Sequence, residues 1–193
     1  LMAVYGYTLQ IFCDFSGYSD MAIGLSLLMG FKIPPNFLTP YKSQSITEFW
    51  RRWHISLSSW LRDYLYISMG GNRKGKFRTY VNLFMTMLIG GLWHGASWKF
   101  VIWGGLHGIL LAIERYIKQW VPLSSDKFFP RLFRILITFH LVAFCWIFFR
   151  AKDFGMASDV IAKIGDLNFD LNAWATVISS YRNVFIMIAI GYI

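Results

Sequence analysis

Between Thr79 and Ile117 the chain runs through 39 predominantly apolar residues. As one helix this stretch would measure ~58 Å, about twice the ~30 Å hydrocarbon thickness of a bilayer. It must therefore break and fold back. The glycines and polar residues of Gly90-Gly91-Leu92-Trp93-His94-Gly95-Ala96-Ser97 place the break. His94 then stands at a helix end inside a hydrophobic region. Similar runs occur at Leu1 to about Met29, at Leu132–Phe149, which holds His140 and is closed by Arg150, and at Val184–Ile193. Charged residues make up only 15% of the 193, against about 25% in soluble domains. That excludes a water-facing globule. The reading is an all-α polytopic integral membrane protein with transmembrane, re-entrant and interfacial helices. Leu1 lies directly inside the apolar run Leu1–Cys13, and Val184–Ile193 is about half a span. Residues 1–193 are therefore expected to be part of a single membrane-embedded domain truncated at both ends.

The segments between these runs differ in character. In the first run Asp14 and Asp20 are costly in lipid and should face protein or a water-filled cavity, and Gly17 offers a bend. Pro34-Pro35-Asn36 ends any helix before it. Ser45-Ile46-Thr47-Glu48 has the pattern of a capping box and should open a helix running to about Ser68. In such a helix Trp50, Trp53, Leu57, Trp60, Leu61 and Tyr64 would share one apolar face, with Arg52, Ser59 and Asp63 opposite and His54 on the border. It is too charged to span and suits an interface. The loop Gly70-Gly71-Asn72-Arg73-Lys74-Gly75-Lys76 reads as basic and flexible. A mixed-charge stretch, roughly Ala151–Asn172, leads to the last apolar run.

The net charge of +9 comes without any nucleic-acid motif, so no nucleic-acid partner is expected. Basic residues outnumber acidic ones nine to two between Lys32 and Arg78, and five to two between Glu114 and Arg134. From Arg150 to Arg182 they balance at four each. The positive-inside rule makes the first two loops cytoplasmic and the third external. Cys13 and Cys145, both in apolar runs, suggest neither a disulfide nor a metal site.

Imidazole takes and returns a proton near neutral pH, so the four histidines are the candidate general bases. His94 is the strongest candidate, an intramembrane ionisable group among small residues and between Trp93 and Trp98; the bland alternative is a buried histidine capping a broken helix. His54 is the second candidate, its alternative an ordinary polar residue of an interfacial helix. His107, among glycines, reads as a helix-packing residue, and His140 as structural, bonded to a neighbouring helix. Asp14, Asp20 and Asp63 are expected to pair with Arg51, Arg52 or Arg62, although each could instead orient a histidine.

Five ordered stretches resemble bacterial membrane-bound O-acyltransferases: Asp14-Phe15-Ser16-Gly17-Tyr18-Ser19-Asp20; Phe49-Trp50-Arg51-Arg52-Trp53-His54-Ile55-Ser56-Leu57-Ser58; Trp60-Leu61-Arg62-Asp63-Tyr64-Leu65-Tyr66; Gly70-Gly71-Asn72-Arg73; and Gly91-Leu92-Trp93-His94-Gly95-Ala96. The resemblance covers roughly Leu1 to Arg150, with the motif-bearing catalytic region at 14–117. It is greatest to the alginate and peptidoglycan O-acetyltransferase branch, and more distant to the teichoic acid D-alanyl branch. It implies a funnel through the membrane, the family's hallmark histidine at His94, and its histidine-or-asparagine position at His54. Trp53, Trp93 and Asp14 become supporting residues of the pocket, and Arg62 and Asp63 hold the helix.

The resemblance further implies transfer of an acetyl group from a cytoplasmic thioester toward hydroxyls of an extracytoplasmic polysaccharide. Acetyl-CoA or another acyl thioester serves as co-substrate, with no bound cofactor and no metal. Implied partners are the lipid bilayer, extracytoplasmic acetyl-transfer or polysaccharide-modifying proteins, and an acyl carrier protein if that carries the donor. The implied location is the bacterial cytoplasmic membrane, crossed several times. Three other readings stay open: D-alanyl transfer to teichoic acid, a bis-histidine membrane haem protein, and a transporter-like subunit without covalent chemistry.

Overall fold

The computed structural model of the protein describes residues 1–121, 124–166, 171–180, 182–183 and 186. The apolar run expected at Val184–Ile193 lies, Ile186 apart, outside them. Among the described residues the regular elements are all helical: eight α-helices, a short 3-10 turn at Pro40–Lys42 and a π-helical turn at Leu61–Tyr66.

Helix α1 spans Met2–Leu28 and passes through Gly17 without interruption. It stops before the prolines. Gly30 takes a left-handed φ of 81°, its N–H donates to the Leu27 carbonyl, and the Phe31 N–H donates to that of Ser26. This is the Schellman arrangement, which a glycine just past the helix end permits.

Helix α2 spans Ile46–Arg52 and begins as the capping pattern predicts, with the Glu48 N–H donating to Ser45 Oγ at 3.1 Å. The continuous helix expected as far as Ser68 does not form. Trp53 is extended, His54 adopts a left-handed φ of 43°, and α3 (Ile55–Trp60) starts on a new axis. The 36–39 loop makes this break possible by satisfying both broken ends. The Ile55 N–H donates to the Asn36 carbonyl, the Ser56 N–H to Asn36 Oδ1, and the Leu38 N–H to the Arg52 carbonyl. Left-handed backbone at a non-glycine residue costs of order 1–3 kcal/mol, and these bonds hold it. The expected apolar face divides accordingly: Trp53 is 3% exposed, whereas Trp60 and Tyr64 are 53% and 70% exposed. A π-helical turn, Leu61–Tyr66, follows α3.

The long apolar segment breaks where expected, into α4 (Lys76–Trp93) and α5 (Trp98–Ile117). The two form an antiparallel hairpin whose open end is tied by Lys76 Nζ donating to Gln119 Oε1. Glycines allow their backbones to touch, as small residues do between membrane helices. A Cβ on Gly104 would lie 2.3 Å from the Met87 carbonyl oxygen, and one on Gly108 would lie 2.9 Å from Phe84 Cα. The 70–75 loop is clasped rather than loose, because buried Asn82 of α4 donates to the Gly71 and Met69 carbonyls at 2.9 and 3.3 Å.

Helix α6 spans Phe128–Arg150, one turn earlier than the sequence pattern suggests, and α7 covers Phe154–Gly165 behind an Asp153 cap. Helix α8 covers Leu171–Ser180. Of these helices, α5 and α6 are long and apolar enough to cross a membrane. The core lies where the end of α2 meets α5 and α6. Trp53, Trp103 and Trp146 pack there with Phe49, Val142 and Cys145, the Trp103 and Trp146 rings stacked at 5.7 Å.

Candidate active site

His94 closes α4 as its C-terminal cap. The chain then turns at Gly95, where an added Cβ would come within 2.9 Å of the Phe100 ring. Three elements grip the imidazole by ring edges: Trp93 at 5.1 Å, Trp103 of α5 at 5.2 Å and Phe149 of α6 at 5.2 Å. Among the described residues, hydrogen bonds to histidine rings fall on His54, His107 and His140, and none on His94. Both of its nitrogens are therefore available to a substrate, and aromatic packing alone orients the ring.

His54 comes from the other direction, on the broken joint between α2 and α3. Its ring stands edge-on to Phe15 of α1 at 4.7 Å, and Ser56 Oγ lies 3.4 Å from Nδ1. His54 lies outside α5 and α6. Burial lowers its pKa from the usual 6.5 to about 4, helped by the neighbouring His94. The imidazole is therefore neutral at physiological pH.

Both histidines line one cavity of about 460 Å³, together with Asp14, Trp53 and Trp93. Five of the seven site residues singled out in the sequence thus meet in one place. Trp103, Trp146 and Phe149 supply much of the remaining wall. Arg62 and Asp63 lie elsewhere. They pair with each other at 2.7 Å on the exposed side of the π turn, and Arg62 lowers the Asp63 pKa chiefly by hydrogen bonding to it.

The expected ion pairs are therefore only partly formed. Asp63 has one. Asp14 and Asp20 have none among the described residues. Arg52 pairs with Glu48 at 2.6 Å and donates to Thr39 Oγ1, while Arg51 lines a second cavity.

That second cavity, of about 520 Å³, lies between α2–α3 and the α4–α5 hairpin. Arg51, Arg62, Arg115 and Lys118 line it, and Arg51, Arg115 and Lys118 have no ion pair among the described residues. Its carboxylate, Glu114, is already engaged: it accepts the Ile46 and Thr47 backbone N–H groups and so caps α2. Arg115 and Lys118 sit at the open end of the hairpin, whereas His94 lies at its closed end, ~27 Å away along α4.

Sequence reasoning missed Glu114, although a carboxylate near the end of an apolar helix was a usable signal. It read His107 and His140 as structural, and the structure gives both partners. His140 lies 2.7 Å from the Tyr5 hydroxyl of α1, and His107 is wholly buried and accepts a hydrogen bond from Trp50 Nε1 at 3.3 Å.

The chain is 59% identical over 152 residues to the probable alginate O-acetylase of Pseudomonas putida, an overlap of 79% of this chain and 30% of that protein. It is 46% identical over 170 residues to the peptidoglycan O-acetyltransferase of Helicobacter pylori (86% of this chain, 32% of that protein). It is 36% identical over 165 residues to the teichoic acid D-alanyltransferase of Bacillus subtilis (80% and 42%). The chain thus spans about a third of the length of the curated relatives it matches. The model of the MBOAT, membrane-bound O-acyltransferase, family matches residues 1–158, which include the whole of the two-histidine cavity, and the chain belongs to that family.

Proposed function

We propose that the protein is an O-acetyltransferase of a bacterial cytoplasmic membrane, carrying an acetyl group from a cytoplasmic thioester toward hydroxyls of an extracytoplasmic polysaccharide of alginate or peptidoglycan type. The observation that carries this reading is the meeting of His54 and His94 in one aromatic cavity, with no hydrogen bond to either nitrogen of His94 among the described residues. The identities of 59% and 46% to an alginate and a peptidoglycan acetylase favour these acceptors over teichoic acid.

In the proposed reaction His94 is the general base. A neutral imidazole nitrogen takes the proton of the acceptor hydroxyl as its oxygen bonds to the thioester carbonyl carbon. The carbon–sulfur bond then breaks, and the imidazolium returns the proton to the leaving thiolate. A covalent variant has His94 accept the acetyl group first and release it to the hydroxyl in a second step. Neutral His54 positions the donor or shares the proton, and the surrounding indole and phenyl rings exclude water. Asp14 is the one carboxylate among the described residues that line the same cavity, and it serves to orient the polar end of a substrate.

The second cavity suits the donor's anionic end. Arg51, Arg115 and Lys118 outweigh Glu114 in the lining and offer net positive charge to phosphate groups, whether of acetyl-CoA or of a carrier-protein arm. Arg115 and Lys118 adjoin the basic loops that the positive-inside rule assigns to the cytoplasm. The chain then crosses the bilayer several times, and extracytoplasmic polysaccharide-modifying proteins receive the product.

The test uses full-length protein in proteoliposomes with radiolabelled acetyl-CoA and a glycan acceptor. Wild type transfers label, His94→Ala abolishes transfer in a folded protein, and His54→Ala lowers it strongly. Transfer that survives His94→Ala would remove that residue from the chemistry. Transfer only from a carrier-protein thioester would keep the chemistry and change the donor.

A further inference from the structure

Among the described residues Trp50 alone lines both the basic cavity and the two-histidine cavity. Its position is fixed by His107 and Phe49, which line neither opening, and by Trp103 from the wall of the two-histidine cavity. The indole N–H donates to His107 Nδ1 at 3.3 Å, and the two rings meet edge-on at 5.0 Å. Trp103 and Phe49 hold it from two further sides, at 5.8 and 5.6 Å. His107 is itself fully buried, stacked on Phe49 at 6.3 Å and edge-on to Trp103 at 5.1 Å. Because Nδ1 accepts the indole proton, the neutral ring carries its own proton on Nε2. That atom is buried without a hydrogen-bond partner among the described residues. An imidazole kept here with one nitrogen unsatisfied is an expensive way to fill space, so a specific use of the other nitrogen is the better account.

We infer that Trp50 is the partition between the donor and acceptor cavities, and that His107 is the positioning residue that keeps it closed around the passing donor arm, against water entering from the basic cavity. This inference rests on the two-cavity reading of the function. A thioester held with its acyl carbon near His54 and His94 faces two competing oxygens. Attack by the glycan hydroxyl forms the ester and releases thiol. Attack by water breaks the same carbon–sulfur bond, releases the same thiol and yields free acetate. His94 would assist either reaction, so fidelity depends on which oxygen can reach the carbon. A fixed indole between the cavities sets that choice. Loss of the wall, or of the hydrogen bond that fixes it, raises hydrolysis relative to transfer without removing the base.

Two measurements on the full-length protein test this. The first follows thiol release and acetylated acceptor together in proteoliposomes supplied with acetyl-CoA. Wild type should give nearly one ester per thiol. Trp50→Ala and His107→Leu should release several thiols per ester while His94-dependent thiol release continues. His107→Gln, which retains an acceptor for the indole N–H, should return the ratio toward wild type. The second measurement is independent of activity. Ser58 lines the basic cavity, and a Ser58→Cys variant, with other reactive cysteines replaced, is labelled with a membrane-impermeant maleimide in sealed vesicles of each orientation. Labelling should come from one face when Trp50 is present and from both faces in Trp50→Ala. Labelling from both faces with Trp50 in place overturns the partition, as does an unchanged ester-to-thiol ratio in active Trp50→Ala. Absence of any His94-dependent thiol release in wild type would sink the functional reading instead, while the labelling still decides the partition.

Discussion

Gly104→Ala is the substitution that most sharply links the fold to the site. Its new Cβ would fall 2.3 Å from the Met87 carbonyl oxygen and 3.1 Å from Gly91 Cα, both backbone atoms that cannot swing aside. Ordinary contact begins near 3.4 Å, so α4 and α5 must separate by about 1 Å in a close-packed interior. Overpacking of this kind costs typically ~1–3 kcal/mol. The displacement reaches the chemistry directly, because Trp103 precedes Gly104 and contacts His94 at 5.2 Å. Misplacing a reacting group by about 1 Å lowers rates by roughly 10²-fold. Gly105→Ala is the control: its Cβ would meet Leu88 Cδ1 at an unstrained 3.7 Å. Both variants of the full-length protein should be assayed for acetyl transfer and for thermal midpoint in detergent. Gly104→Ala is expected to lose activity by one to two orders of magnitude and to melt earlier, while Gly105→Ala stays near wild type. Equal activity and stability of the two would refute the argument that backbone contact at Gly104 sets the His94 geometry.

Three further outcomes follow from particular contacts. Glu114→Ala strands two N–H groups at the start of α2, at a cost of ~1–3 kcal/mol; amide exchange at Ile46 and Thr47 should accelerate, and less so in Glu114→Gln. His54 gains its charge only as pH falls through about 4. His54→Asn should therefore lower transfer without shifting the profile between pH 5 and 8, and a displaced acid limb would contradict the assignment of a neutral imidazole. Asn82→Leu removes both clasps on the glycine loop, so proteolysis near Gly70–Lys76 should quicken by several-fold while the α4–α5 hairpin stays intact.

Much of this architecture could be read from the residues. The length of the 79–117 run against a bilayer forced the hairpin, and its glycine cluster located the turn that carries His94. Local capping chemistry located the start of α2. The break at His54 was not legible, because it depends on Asn36 and Leu38 from a distant loop satisfying the broken ends. Helical periodicity assumes a continuous axis and therefore placed Trp60 and Tyr64 on the face of Trp53. The site followed the same division. His94 and His54 were visible as ionisable groups in apolar surroundings, whereas Trp50–His107 and Glu114–Ile46 are contacts across 57 and 68 positions that only packing creates. Arg62 and Asp63 entered the reading through the family-like stretch, as residues that hold the helix, and the π turn places them away from the cavity of the two histidines.

The central claim is that acyl transfer takes place in the cavity shared by His54 and His94. The most direct measurement is a cryo-electron microscopy structure of the full-length protein bound to a thioether analogue of acetyl-CoA, which cannot be cleaved. The account predicts phosphate density among Arg51, Arg115 and Lys118, with the acetyl-mimicking end passing Trp50 to lie beside His94. An analogue bound elsewhere, with its acyl end remote from both histidines, would contradict it.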